Sequence, residues 1–83
     1  MLFAKPLPIS RRIRTAVIGC GRISANHFAA IQKHSDRMEL TALCDTDLDV
    51  LRAAEKKHSV PGFDSLTGLL KSVDVDLVVL CTP

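Results

Sequence analysis

The feature that most constrains the fold is an apolar run that leads into two closely spaced glycines. Residues 13–24 read IRTAVIGCGRIS, and Gly19 and Gly21 follow a β-branched stretch in which polar and apolar positions hardly alternate. Such a stretch is typical of a strand that is covered on both faces, as in a parallel sheet. Residues 23–34 then repeat their apolar positions with a helical period. The segment is therefore predicted to be a strand, a glycine turn and a helix.

The rest of the chain continues the alternation of strands and helices. The pattern predicts strands at residues 38–45 and 77–81, helices at 48–58 and 66–73, and a short edge strand or turn at 60–63. Alternation of this kind predicts right-handed crossovers and a parallel sheet with helices on its faces. The expected fold class is α/β, a partial Rossmann (doubly wound) sheet with the order β-α-β-α-β-α-β.

The overall charge and the cysteine usage exclude several classes of protein. The net charge is +2, which is too small for a surface that binds nucleic acid or an anionic membrane. No apolar run reaches the roughly 18 residues of a transmembrane helix, and the first ten residues lack the apolar stretch of a signal peptide. The three cysteines form no CxxC pair, which favours reduced thiols. A cytoplasmic protein with no nucleic-acid or membrane partner is expected.

The glycine turn has the residue types that a phosphate group needs. Gly19 permits a tight turn off the strand, and Gly21, which has no side chain, lets a pyrophosphate approach the backbone. The N–H groups at the start of the following helix point to the same place. Ser24 takes the place of a third small residue, and Asp45 ends the next strand where an acid can bind the adenosine ribose. The pattern predicts a dinucleotide site.

Each of these residues also has a purely structural interpretation. Glycine pairs form turns in many proteins without a ligand, and Asp45 is also placed to cap the helix that follows it. The carboxylate of Asp45 would repel the 2′-phosphate of NADP and so favours NAD, whereas Arg22 can either accommodate that phosphate or reach solvent. NAD is the expected cofactor, and NADP is the alternative.

The cysteines and histidines are not predicted to form a metal or redox site. Cys20, Cys44 and Cys81 each lie at or just past the end of a predicted strand, so they are expected at the ligand-binding edge of the sheet. Structural zinc sites use paired, closely spaced ligands, which this sequence lacks. His27 is expected to pack against the sheet. No metal ligand is predicted.

The domain organisation follows from the same pattern. Residues 1–12 are expected to be a flexible N-terminal tail, and the arginines Arg11, Arg12 and Arg14 are expected to face solvent. Residues 13–83 are expected to be an incomplete dinucleotide-binding domain. The reason is that a chain of 83 residues has a small core, and its most apolar strand lies at its end.

From residue 13 to residue 83 the sequence resembles the Gfo/Idh/MocA family of oxidoreductases. The matching stretches are AVIGCGRIS with Asn26 and His27 just after it, LCDTD at the end of the second predicted strand, FDSLTGLL, and DLVVLCTP. Within the family, GCGRIS followed by NHF and KHSDRMEL is most similar to the branch that oxidises the 3-hydroxyl of UDP-N-acetyl-glucosaminuronate. The resemblance implies an NAD-dependent oxidoreductase acting on a sugar or sugar-nucleotide hydroxyl.

The resemblance also implies which residues bind the cofactor and which functions lie elsewhere. According to the resemblance, the residues that line the pyrophosphate are Gly19, Gly21, Arg22 and Ile23. Asp45 is expected to bind the adenosine ribose, and Thr82 and Pro83 are expected to contact the cofactor towards its nicotinamide end. The family's sugar-binding domain and its catalytic Glu-Lys-Pro lysine follow the last strand, so no catalytic residue is expected among these 83 residues. A homo-oligomer is implied for the full-length protein. The alternative is a non-catalytic nucleotide-binding module on the same fold.

Overall fold

A computed structural model of the chain describes residues 2–3, 10–21 and 24–81. Along the chain the elements are β1 (Leu2–Phe3), β2 (Ile13–Ile18), α1 (Ala25–Lys33), β3 (Met38–Cys44), α2 (Leu48–His58), β4 (Gly62–Phe63), α3 (Leu66–Ser72) and β5 (Leu77–Leu80). No helix among these described residues has the length and apolarity to cross a bilayer.

The strands form a single five-stranded sheet in the order β1-β5-β2-β3-β4. β2 lies at the centre and pairs in parallel with β3 and β5, and β3 pairs in parallel with β4. The chain therefore moves outward from β2 to β4 and then crosses back to the other side of β2. The predicted four-stranded parallel sheet of Rossmann type is confirmed. In this topology ligands bind at the carboxyl ends of the strands, where the direction of winding changes.

Both faces of the sheet are covered, as the apolar character of the strands predicts. Neighbouring residues of each central strand point to opposite faces and enter two separate cores. The core on the face of α1 and α2 includes Val17, Ile31, Leu43, Leu51, Ala54 and Val79. The core on the face of α3 includes Ala16, Ala42, Leu69, Val75 and Val78. The sheet is thus fixed from two sides, which holds the ends of its strands in place.

The helices begin and end close to the predicted positions. α2 spans the predicted residues 48–58 and is capped by Asp47, whose side chain accepts hydrogen bonds from the N–H groups of Asp49 and Val50. α3 is capped by Ser65, which accepts from the N–H of Gly68. Both caps are among the polar side chains that precede the two helices in the sequence. α1 spans residues 25–33 within the predicted 23–34.

Some residues that follow the helical period of the sequence are exposed rather than packed on the sheet. Leu48 is 51% exposed and Leu70 is 47% exposed, and His34 also faces solvent. Each lies at or near an end of its helix. A helical period assigns a residue to a face but does not show whether the sheet extends under it.

The N-terminal segment differs from the expected flexible tail. β1 pairs with β5 in antiparallel register, Leu2 opposite Val78. Arg11, expected to be solvated, donates two hydrogen bonds of 2.6 and 2.9 Å to the buried carboxylate of Asp76. A buried charge requires a partner of opposite sign, which explains the contact. At residues 2–3 and at Arg11 the structure thus has a strand pairing and an ion pair where a solvated tail is expected, and residues 1 and 4–9 lie outside the described residues.

Candidate functional site

The glycine turn leaves the carboxyl end of β2 with a left-handed residue. Gly19 has a φ of 90°, a conformation that side chains rarely allow. Its N–H donates to the carbonyl of Cys44 at the end of β3, at 2.8 Å. The bond continues the β2–β3 pairing into the turn. Gly19 is thus required by the backbone conformation, as the sequence predicts.

Gly21 is exposed, and the space above it is open. A Cβ added to this residue would meet no atom of the described residues within 4 Å, and its φ is not left-handed. Packing within the described chain and backbone conformation therefore give no reason for a glycine here. An open surface on a backbone turn is what a pyrophosphate needs in order to approach. The residues present thus fit a bound dinucleotide.

The described start of α1 carries no negative charge that would repel an anion. Ser24 precedes the helix, but its side chain makes no capping bond, and the first turn of α1 contains no acidic residue. The hydroxyl and the N–H of Ser24 both donate to the carbonyl of Gly21 instead. Ser24 is 2% exposed, so it also fits the role of a small residue at a tight helix–strand contact.

Asp45 follows β3 and lies directly against the glycine turn. One carboxylate oxygen accepts from the N–H of Cys20 at 2.8 Å, and the other accepts from the N–H of Asp47 at 2.9 Å. The N–H of Asp45 donates to the carbonyl of Phe63 in β4 at 3.1 Å, which fixes the strand end. The helix cap is Asp47, so the alternative in which Asp45 caps α2 is wrong.

The thiols at this edge are free and form no disulfide with one another. Cys20 lies between the two glycines, and its Sγ donates to the carbonyl of Cys44 at 3.5 Å. Burial, and then the charge of Asp45, raise the pKa of Cys20 to about 11. Burial also raises the pKa of Cys44 and of Cys81. All three are free cysteines, and the described residues contain no group of His, Cys, Asp and Glu that could hold a metal ion.

Two cavities lie along the groove between α1 and α2. The one beside the turn has a volume of about 390 Å³ and is lined partly by Cys20, Gly21 and Ser24. The other, of about 520 Å³, lies farther from the turn, towards the amino end of β3, and both reach the stacked rings of Phe28 and His58. Neither cavity is lined by Asp45. The larger cavity touches neither the glycine turn nor Asp45, so it is not the candidate site. The candidate site is the open edge of the sheet above the turn.

The structure brings together three of the residues that the sequence singles out. Gly19, Gly21 and Asp45 meet at one edge of the sheet, although Asp45 is distant from the glycines in sequence. The other predicted cofactor residues are Arg22, Ile23, Thr82 and Pro83, and they lie outside the described residues. The contact between the Cys20 N–H and Asp45 was not anticipated. The only indication of it in the sequence is that Asp45 follows β3, the strand that pairs with β2, and β2 leads into the turn.

Comparison with known proteins links this arrangement to a family. Residues 13–83 match the profile of the Gfo/Idh/MocA group, described as an oxidoreductase family with an NAD-binding Rossmann fold. A crystal structure of the WlbA dehydrogenase from Bordetella pertussis, in complex with NADH and UDP-GlcNAcA, is 47% identical with a TM-score of 0.87. The match covers 92% of this chain and 23% of that one.

Two curated relatives differ from each other in function. Inositol 2-dehydrogenase of Arthrobacter sp. is 33% identical, and the match covers 90% of this chain and 23% of that protein. A galactose/lactose metabolism regulatory protein of Kluyveromyces lactis is 32% identical, over 89% of this chain and 18% of that protein. The chain thus spans about a quarter or less of the length of these proteins.

Proposed function

Because the chain belongs to the Gfo/Idh/MocA oxidoreductase family with its NAD-binding Rossmann fold, we propose that it binds NAD(H) at the turn beside Asp45. It does so as the cofactor-binding part of an oxidoreductase that acts on a sugar or sugar-nucleotide hydroxyl. The observation that carries the proposal is the contact of the Asp45 carboxylate with the N–H of Cys20, because it places the acid beside the open turn.

Each part of the cofactor is assigned to its own residues. The pyrophosphate lies over Gly19 and Gly21 and faces the start of α1, whose N–H groups and dipole favour an anion. Asp45 accepts hydrogen bonds from the adenosine ribose. The family resemblance adds Arg22 and Ile23 at the pyrophosphate, and Thr82 and Pro83 towards the nicotinamide.

NAD is favoured over NADP by the charge of Asp45. A carboxylate at this position accepts from the ribose hydroxyls but repels a 2′-phosphate. Arg22 is the residue that argues for NADP, because a guanidinium near the ribose can pair with that phosphate. Asp45 is fixed at the strand end by two backbone N–H groups, which supports the preference for NAD.

The substrate proposed for the full-length protein is a UDP-sugar acid. The support is the 47% identity to a dehydrogenase whose structure contains NADH and UDP-GlcNAcA. The cofactor supplies hydride transfer, and the protein binds and orients it. The Glu-Lys-Pro motif of the family is not present in these 83 residues, so we expect these residues on their own to bind cofactor only weakly and not to turn over substrate.

Isothermal titration calorimetry of the chain with NADH and with NADPH tests the proposal. We expect NADH to bind more tightly, and Asp45→Ala to weaken NADH binding by about 1–3 kcal/mol, the usual effect of losing hydrogen bonds to a charged group. Binding of neither nucleotide would contradict the proposal. Tighter binding of NADPH would contradict only the preference for NAD.

A non-catalytic nucleotide-binding module is the second candidate, and the likeness to a regulatory protein favours it. The two candidates differ in what the full-length protein does with a substrate. NADH production from NAD and a UDP-sugar acid by the full-length protein supports the oxidoreductase. Tight NADH binding with no production of NADH from any sugar or sugar nucleotide would support the module instead.

A further inference from the structure

The contact between Asp45 and the turn reaches the residue between the two glycines. Each of the three successive residues of the turn, Gly19, Cys20 and Gly21, is hydrogen-bonded to a neighbouring group. The N–H of Gly19 donates to the carbonyl of Cys44, the N–H of Cys20 donates to Asp45, and the carbonyl of Gly21 accepts from Ser24. The partner of Cys20 is a charged side chain, whereas the partner of Gly19 is a backbone carbonyl and Gly21 accepts from the N–H and the neutral hydroxyl of Ser24.

A hydrogen bond at Cys20 matters because a turn with two glycines has a large conformational freedom to lose on ordering. Glycine loses more conformational freedom on ordering than any other residue, and the turn has one on each side of Cys20. A binding site that is already ordered loses less entropy when its ligand arrives. Hydrogen bonds to an ionised acceptor are stronger than neutral ones, so the carboxylate is well suited to hold this backbone.

Asp45 has capacity for both contacts. An ionised carboxylate accepts up to about four hydrogen bonds, and the structure shows two of them on Asp45, both from backbone N–H groups. Asp45 is half-buried, so part of the group remains open to a ligand. The carboxylate can therefore keep the Cys20 N–H while it accepts from a ribose.

We propose that Asp45 is a positioning residue for the pyrophosphate as well as a ligand of the ribose. By accepting a hydrogen bond from the N–H of Cys20, its carboxylate holds the glycine turn in the conformation that binds the pyrophosphate. The proposal rests on the proposed function and deepens it. It makes an unusual prediction: removing a negative charge near a bound diphosphate weakens the binding of that diphosphate, although electrostatics alone would strengthen it.

The first test needs no ligand. Amide hydrogen exchange measured by NMR on the whole chain reports the Cys20 N–H directly. We expect Asp45→Ala to speed exchange at Cys20 by about tenfold or more, because the amide loses a charged acceptor. Asp45→Asn retains a neutral acceptor and is expected to give an intermediate rate. Asp47→Ala is the matched control, since it removes the same charge two residues away and leaves the Cys20 contact in place.

The second test uses a ligand that lacks the ribose hydroxyls. We expect Asp45→Ala to weaken the binding of 2′,3′-dideoxy-ADP, measured by calorimetry, by about fivefold, whereas Asp47→Ala leaves it unchanged or slightly tighter. If Asp45 acted on the ribose alone, Asp45→Ala would leave this ligand unaffected or bind it more tightly. That result, or unchanged exchange at Cys20, would overturn the proposal.

The two tests separate this proposal from the proposed function. A wild-type chain that binds neither NADH nor dideoxy-ADP contradicts the nucleotide site, and the exchange rate at Cys20 still decides whether Asp45 holds the turn. If Asp45→Ala does not fold, the exchange rate in Asp45→Asn takes its place: a rate equal to that of the wild type would contradict the proposal.

Discussion

Gly19 and Gly21 lack a side chain for different physical reasons, although both belong to one sequence pattern. Gly19 has a φ of 90°, so the backbone itself requires a glycine. Gly21 has no such requirement, and a Cβ there would meet no atom of the described part of the chain within 4 Å. The fold thus requires the first glycine, and the proposed dinucleotide site would account for the second. The sequence pattern alone predicts the pair but does not separate the two roles.

Gly21→Ala is therefore expected to weaken NADH binding while it leaves the free energy of unfolding nearly unchanged. The added Cβ contacts no atom of the described chain, so the free energy of unfolding should change by less than about 0.5 kcal/mol. The same Cβ occupies the space above the turn, so NADH should bind about tenfold more weakly or worse. Thermal unfolding and calorimetric titration of the same preparation measure the two effects. A destabilised variant with unchanged NADH affinity would contradict this role.

At the scale of the elements, the alternation of strands and helices is predictable because the central stretches of β2, β3 and β5 are apolar on both faces. The period of the pattern changes between strand and helix, and the caps Asp47 and Ser65 are among the polar residues that precede α2 and α3. The N-terminal contacts were not predictable in this way. The pairing of β1 with β5 and the contact of Arg11 with Asp76 join parts that are far apart in sequence.

The packing of α2 on β4 gives a matched glycine to compare with Gly21. A Cβ on Gly62 would lie 2.7 Å from Cδ1 of Leu51 and 2.7 Å from Cγ of Glu55. Leu51 is 3% exposed and has little room to move. Gly62→Ala is expected to lower the free energy of unfolding by about 1–3 kcal/mol, the usual effect of overpacking. Urea denaturation measures it, and a stability equal to that of the wild type would show that α2 shifts freely.

At the scale of the whole molecule, Asp76 joins the N-terminal segment to the centre of the sheet. Its carboxylate is buried and accepts from the guanidinium of Arg11 and from the N–H of Arg14 at 2.8 Å. The hydrogen bonds from Arg11, followed by those from Arg14, hold the pKa of Asp76 well below its usual range. This cluster lies at the amino ends of the strands, opposite the candidate site, so it acts on stability rather than on cofactor binding.

The sign of the resulting pH dependence follows from the lowered pKa. A carboxyl group with a lowered pKa in the folded state contributes its stability above the ordinary Asp pKa of about 3.9 and loses it as the pH falls further. The melting temperature should therefore fall between pH 5 and pH 2, and it should fall less steeply in Arg11→Gln, which is already less stable at pH 7. Equal slopes for the two proteins would contradict the role of Arg11.

We propose that NADH binds at the turn formed by Gly19, Cys20 and Gly21, beside Asp45. An NMR titration of the isotope-labelled chain with NADH, which follows each backbone amide, tests this binding site directly. We expect the largest shifts on these four residues and on the first turn of α1, and we expect NADPH to produce them only at higher concentration. Largest shifts at the cavity of Met38 and Glu39, or no shift with either nucleotide, would contradict it.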